Sequence, residues 1–135
     1  MAYYVGILDG NGKVWGVRVP DLPGVHGGGV SPEDAIADAI GAAREWAAHQ
    51  IAEGRKVPKP RAVQAVLADG EAAFDAAAGE STVMVPLMID TGVSVKANIS
   101  VDAGQLAAID AEAKRRGLTR SAFMAGAALE KIEGR

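Results

Sequence analysis

"VKANISVDAGQLAAIDAEAKRRGLTRSAF" runs from Val95 to Phe123. It opens on alternating residues: Lys96, Ala97, Asn98, Ile99, Ser100 and Val101. A period of two describes a strand with one wet face. Asp102 then offers an N-cap for a helix whose apolar positions are Leu106, Ile109 and Ala113. Gly117 stops that helix, with Lys114, Arg115 and Arg116 near its end, where the helix dipole favours cations. Thr119 caps a second helix through Phe123, Met124, Ala127 and Leu129. No further strand follows, and a strand with two bare edges leaves N–H and C=O groups without partners. Self-pairing resolves this. Two copies lie antiparallel as a ribbon over four helices, joined through residues 93–101. Ala97, Ile99 and Val101 then face the core, and Lys96, Asn98 and Ser100 point outward from each chain.

Those outward residues suit base edges. Lysine donates to guanine or phosphate, asparagine pairs with adenine, and serine meets either kind of group. A two-stranded ribbon has about the width of the major groove. Thr119, Arg120 and Ser121 stand at a helix start, where free backbone N–H groups attract phosphate. A plain dimerisation module with a solvated strand is the alternative. The order strand, helix, Gly turn, helix resembles the ribbon-helix-helix family of DNA-binding proteins. That resemblance implies a DNA-binding and dimerisation domain over residues 92–135.

Upstream, "YYVGILD" and "VWGVRVP" are β-prone and flank Asn11-Gly12, a hairpin signal. "DLPGVHGGG", Asp21 to Gly29, is a Pro/Gly loop with a short third strand around Val25. Ser31, Pro32 and Asp34 start a helix in the expected order of cap, first-turn proline and carboxylate. Ile36, Ile40, Ala43, Ala47 and Ile51 give it one apolar face beside Trp46, and Gly54 ends it before "RKVPKP". Residues 62–78 read as broken helix, interrupted at Asp69-Gly70. "STVMVPLMID" reads as a mostly buried strand joining the first sheet, and Asp90 to Gly92 is the domain boundary. The fold class is α+β: a small antiparallel sheet with a packed helix, followed by a ribbon-helix-helix module.

"VWGVRVPDLPGVHGGGVSPEDAIADAIGAAREWAAHQIAEGRKVPKP", Val14 to Pro60, resembles the HicB antitoxin family in its "PDLPG" strand end, capped "EDA" helix and proline exit. With the C-terminal module, nearly the whole chain is covered. The resemblance implies that residues 1–91 form a truncated, catalytically inactive RNase H-like domain that blocks a HicA-type mRNA-cleaving ribonuclease toxin. It also implies that the C-terminal domain binds operator DNA of its own operon as a homodimer, or as two such dimers paired into a tetramer. Many members carry proline where Asp102 stands; Asp102 caps instead. Gly104 and Gly126 fall within the two C-terminal helices, each at a cost of about 1 kcal/mol relative to alanine.

Composition bounds the rest. The chain has 135 residues, a net charge of −3 and no cysteine, so disulfides and zinc-thiolate sites are excluded. Residues 1–92 hold 7 Lys/Arg against 12 Asp/Glu, a balance of −5, whereas residues 93–135 hold 7 against 5, or +2. An acidic first half suits a basic RNA-binding partner. There is no run of about 18 apolar residues and no signal-peptide pattern, so a cytoplasmic protein without membrane contact or cofactor is expected. "HGGG", His26 to Gly29, lacks the Gly-x-Ser-x-Gly elbow that an esterase oxyanion hole needs and reads as a flexible loop. "DGNGK" fails as a calcium or phosphate loop. His26 and His49 join no carboxylate at metal spacing. A metal-dependent RNase H-like nuclease is the other alternative, and it has only Asp9 and Asp21 to offer. A repressor without a toxin is a third. "IEGR", Ile132 to Arg135, matches a protease site of expression vectors and carries no weight.

Overall fold

Strand β1 (Ala2–Asn11) turns into β2 (Val14–Arg18) in the computed structural model, which describes residues 1–134. Asn11 pairs with Val14, so the two-residue connection is Gly12-Lys13, one residue later than the Asn-Gly signal suggests. Gly12 takes the positive φ of 56° that such a turn requires. Strands β3 (His26–Gly29) and β4 (Ser81–Leu87) complete an antiparallel sheet in the order β3-β2-β1-β4. "HGGG" is thus an edge strand and not the flexible loop expected, and the third strand begins after Val25. The sheet belongs to one of two units, Met1–Gly92; the second begins at Val93.

Helix α1 (Pro32–Ala52) starts where Ser31 accepts a hydrogen bond from the Asp34 N–H at 3.1 Å. Its buried row is Ala35, Ala39, Ile40, Ala43 and Ala47. Small side chains let the helix backbone approach the sheet closely. The strand beneath it must then be bare: a Cβ on Gly27 would fall on the backbone of Ala35 and Ala39, and one on Gly29 would lie 2.5 Å from Asp34 Cβ. Those glycines are a packing requirement of the α1–β3 contact. Ile51, expected on the apolar face, lies in the last turn and is exposed.

The α1 face of the sheet carries Tyr4, Val17, Val19, Val85 and Leu87, with Leu22 and Val25 from the loop between β2 and β3. A smaller core lies on the other face. Val5 and Ile7 pack there against Val66, on helix α2 (Val63–Ala68), and Ala72. Short 3-10 turns at Gly70–Ala72 and Ala76–Ala78 carry the chain to β4, so this stretch is broken helix as read. β4 alternates, burying only Val85 and Leu87, because one of its faces is left open.

Three polar ties hold the irregular parts. Asp21 accepts from the Arg61 side chain at 2.7 Å and from the Arg61 backbone N–H at 2.8 Å. Tyr4 Oη donates to the Pro58 carbonyl, so the proline exit is fixed across the loop. Arg18 makes a bidentate pair with Glu80, at 2.6 and 3.2 Å, and donates to the Ala72 and Ala73 carbonyls. That pairing lowers the Glu80 pKa and raises that of Arg18. No helix among the described residues is long and apolar enough to cross a membrane.

Candidate nucleic-acid interface

The second unit is two helices and an arm. In α3 (Ala103–Arg115), Asp102 accepts from the N–H groups of Gly104, at 2.8 Å, and Gln105, at 3.2 Å. The helix closes through Leu118 N–H to Ala113 O at 2.8 Å, with Gly117 at φ 70°. This is the glycine stop read from the sequence, and its geometry requires a left-handed residue. Thr119 Oγ1 accepts from Ala122 N–H at 3.1 Å and starts α4 (Arg120–Ile132). Among the described residues, the N–H groups of Arg120 and Ser121 take no intrachain acceptor.

Residues 93–101 form no strand in the single chain. The strand expected at 96–101 is one paired with a second copy, and one chain alone supplies no ladder partner. Its apolar residues are correspondingly open, Val95 being 86% and Ile99 63% exposed. Only one apolar side chain of the unit, Ala113, is fully buried among the described residues. Two helices and an arm with so little core are an incomplete fold.

The structure separates the candidate residues. Asn98 shares an open groove with Arg120 and Ser121, together with Val95, Ala97, Ile99 and Met124. Lys96, Ser100 and Thr119 do not line it. Arg120 is engaged: its guanidinium makes a bidentate pair with Asp110, both bonds 2.8 Å. The pair lowers the Asp110 pKa and raises that of Arg120, chiefly through their hydrogen bond. Arg115 and Arg116 both bond Glu112 and hold its carboxyl down at about 2, Arg115 first. Arg116 also lies 5.8 Å from the Phe123 ring centroid. The Asp110 partner went unseen in the sequence because it lies ten residues away across a turn. Only the folded α3–α4 hairpin brings the two together.

The nuclease alternative fares differently. Asp21 is nearly buried, its side chain 5% exposed, with both oxygens bonded to Arg61. Among the described residues, no three His, Asp or Glu side chains converge on a common point that could hold a metal.

Residues 3–128 match the family model described as the HicB_like antitoxin of bacterial toxin-antitoxin system. The chain belongs to this HicB-like antitoxin family. No curated protein sequence matches it significantly. Among solved structures, it is similar to the Burkholderia pseudomallei antitoxin HicB, at 31% identity and a TM-score of 0.52, covering 98% of this chain and 97% of that one. The N-terminal domain of that antitoxin, solved alone, is 29% identical with a TM-score of 0.51, covering 64% of this chain and 98% of that one. A HicA3 and HicB3 toxin-antitoxin complex shares the fold at 19% identity and a TM-score of 0.50, covering 65% of this chain and 98% of that one. The α+β architecture with a four-stranded antiparallel sheet is therefore that of HicB antitoxins.

Proposed function

We propose that this antitoxin neutralises a HicA-type mRNA-cleaving toxin with residues 1–91, a partial RNase H-like domain. On this reading, residues 92–135 form a ribbon-helix-helix domain that pairs with a second copy and represses the operon by binding operator DNA. The protein works in the cytoplasm, without catalysis of its own.

One observation carries the DNA reading. The arm exposes Val95, Ile99 and Val101 beside helices that bury a single apolar side chain. Pairing two arms gives the backbone groups that face the seam their partners and covers those side chains. Lys96, Asn98 and Ser100 are then presented twice on one outer face. The two open N–H groups at the α4 start supply a phosphate contact that needs no side chain. Arg120 adds a cation there by exchanging Asp110 for phosphate. The toxin arm is supported by family membership and by the acidic balance of residues 1–92.

Sedimentation together with fluorescence anisotropy on DNA from upstream of the reading frame tests the proposal. A dimer or tetramer that prefers upstream over scrambled DNA is expected. A monomer at micromolar concentration, or equal affinity for both DNAs, overturns the ribbon. Failure to bind a purified HicA-type toxin from the same genome overturns the toxin arm.

A further inference from the structure

The sheet face opposite α1 is only half covered. Val5 and Ile7 lie beneath α2 and Ala72, whereas the β2–β3 end of that face is open. Alternation fixes what stands there. Val17 and Gly27 point to α1, so their neighbours Gly16 and Gly28 point away from it. Gly16 pairs with Gly28 on one side and with Asp9 on the other.

The fold itself does not demand glycine at these two positions. A Cβ on Gly16 would lie 3.4 Å from Asp9 Oδ1 and 3.7 Å from the Gly27 carbonyl oxygen, both ordinary contacts. On Gly28 its nearest neighbour would be Trp15 O, at 3.6 Å. Neither glycine has a left-handed φ. Gly27 and Gly29, by contrast, are forced by the helix above them. A strand glycine that its own fold does not need weakens the strand, and it marks a place where another molecule approaches the backbone.

The surroundings say what kind of molecule. Val14 and Val30 are 77% and 63% exposed near this bare strip. Asp9 flanks it on the β1 side, and Asp38, accepting from Gly28 N–H at 2.9 Å, flanks it at the outer edge. Of the nearby cations, Arg18 is committed to Glu80 and two carbonyls, which leaves Lys13 in the hairpin turn. The unit as a whole is acidic. An apolar floor between carboxylates fits a basic protein that lays a flat apolar side chain on the strip and its own cations beside it.

We infer that the strip over Gly16 and Gly28 is where the toxin docks, an assignment that rests on the antitoxin reading. The test is titration of the purified HicA-type protein from the same operon against the full chain and its variants. Gly16→Thr and Gly28→Thr fill the strip with residues that favour strands. They should keep or raise the melting temperature, leave DNA affinity unchanged and weaken toxin binding at least 10-fold. Should either threonine disturb folding, Val14→Ser, at an exposed position, should still weaken binding several-fold. Asp9→Asn should slow association and reduce its salt dependence. Toxin binding unchanged in folded Gly16→Thr and Gly28→Thr, or in Val14→Ser, overturns the docking site alone. If the wild-type chain does not bind the toxin, the antitoxin reading falls and the docking site with it.

Discussion

Gly27→Ala tests how α1 sits on the sheet. An ideal Cβ there lies 2.7 Å from Ala39 Cα, and closer still to Ala39 N and Ala35 O. Carbon atoms in contact are normally about 3.5–4.0 Å apart. The clashing atoms are helix backbone, so no rotamer change relieves them, and α1 must retreat by about 1 Å from the separation it now keeps. That retreat loosens the whole alanine row from Ala35 to Ala47, which touches the same sheet. Overpacking typically costs about 1–3 kcal/mol; with a helix displaced along its length, the upper figure applies. At about 4–8 °C per kcal/mol for a domain of this size, the melting temperature should fall by about 12–24 °C. Gly28→Ala, one residue along, meets nothing nearer than 3.6 Å. It should hold stability or gain up to about 1 kcal/mol. Thermal and urea denaturation followed by circular dichroism would read both. If Gly27→Ala melts with the wild type, or the two variants shift alike, close helix–strand approach is not the reason for glycine at position 27.

Arg61→Ala strands the nearly buried Asp21 carboxylate. It should lower the melting temperature by several degrees, and more than Asp21→Ala, which removes the buried charge itself; the reverse order would refute the pairing. Glu112 ionises at about 2 in the folded chain against 4.5 ordinarily. A depressed carboxylate pKa stabilises above the ordinary value and is lost on acidification, so helicity should fall between about pH 4.5 and 2. Glu112→Gln should flatten that fall, and an unchanged acid profile would refute it. Asn98→Ala should cost about 1–3 kcal/mol at one base position and relax preference there, as read by anisotropy on substituted operators. Arg120→Ala should weaken binding to all sequences and flatten the salt dependence; an unchanged slope would make Arg120 only a clamp on Asp110. Gly126 has open space around it in the single chain. Gly126→Ala should therefore add about 1 kcal/mol of helix stability, whereas dissociation of the oligomer would show the second chain packing on that backbone.

Elements whose signals are local were legible in the sequence. Ser31, Asp102 and Thr119 cap the helices they were assigned to, and Gly54 and Gly117 take the left-handed conformations that end helices. Features set by distant partners were not. "HGGG" reads as loop because its strand character comes from pairing with β2, and two of its glycines, Gly27 and Gly29, answer to a helix up to twelve residues on. β4 read as mostly buried because "STVMVPL" is apolar on both sides, while only one side of it meets α1. Arg120 read as a free cation because Asp110 stands across the turn. The arm reads as a strand from its alternation, and the lack of any further strand after it places the pairing partner in a second copy.

The charges of the second unit set terms for any phosphate it meets. Arg115 and Arg116 share Glu112, and Arg120 holds Asp110, so all three guanidinium groups around the α3–α4 turn have a carboxylate partner. Exposed pairs of this kind are weak and exchange readily, yet each exchange releases a carboxylate beside the incoming phosphate. Among the described residues, groups that need no exchange include Lys96, Lys114, Lys131 and the N–H groups of Arg120 and Ser121. On the proposed reading a dimer presents each of these twice, a small number of backbone contacts for one operator half-site. Phosphate attraction alone then gives modest affinity with a shallow salt slope. Discrimination must come from Asn98 and its neighbours in the groove, and useful affinity from joining dimers on adjacent half-sites, where the second binds at the effective concentration set by the first. An acidic first unit favours the same outcome, since its −5 balance opposes non-specific attachment to DNA while leaving base contacts untouched.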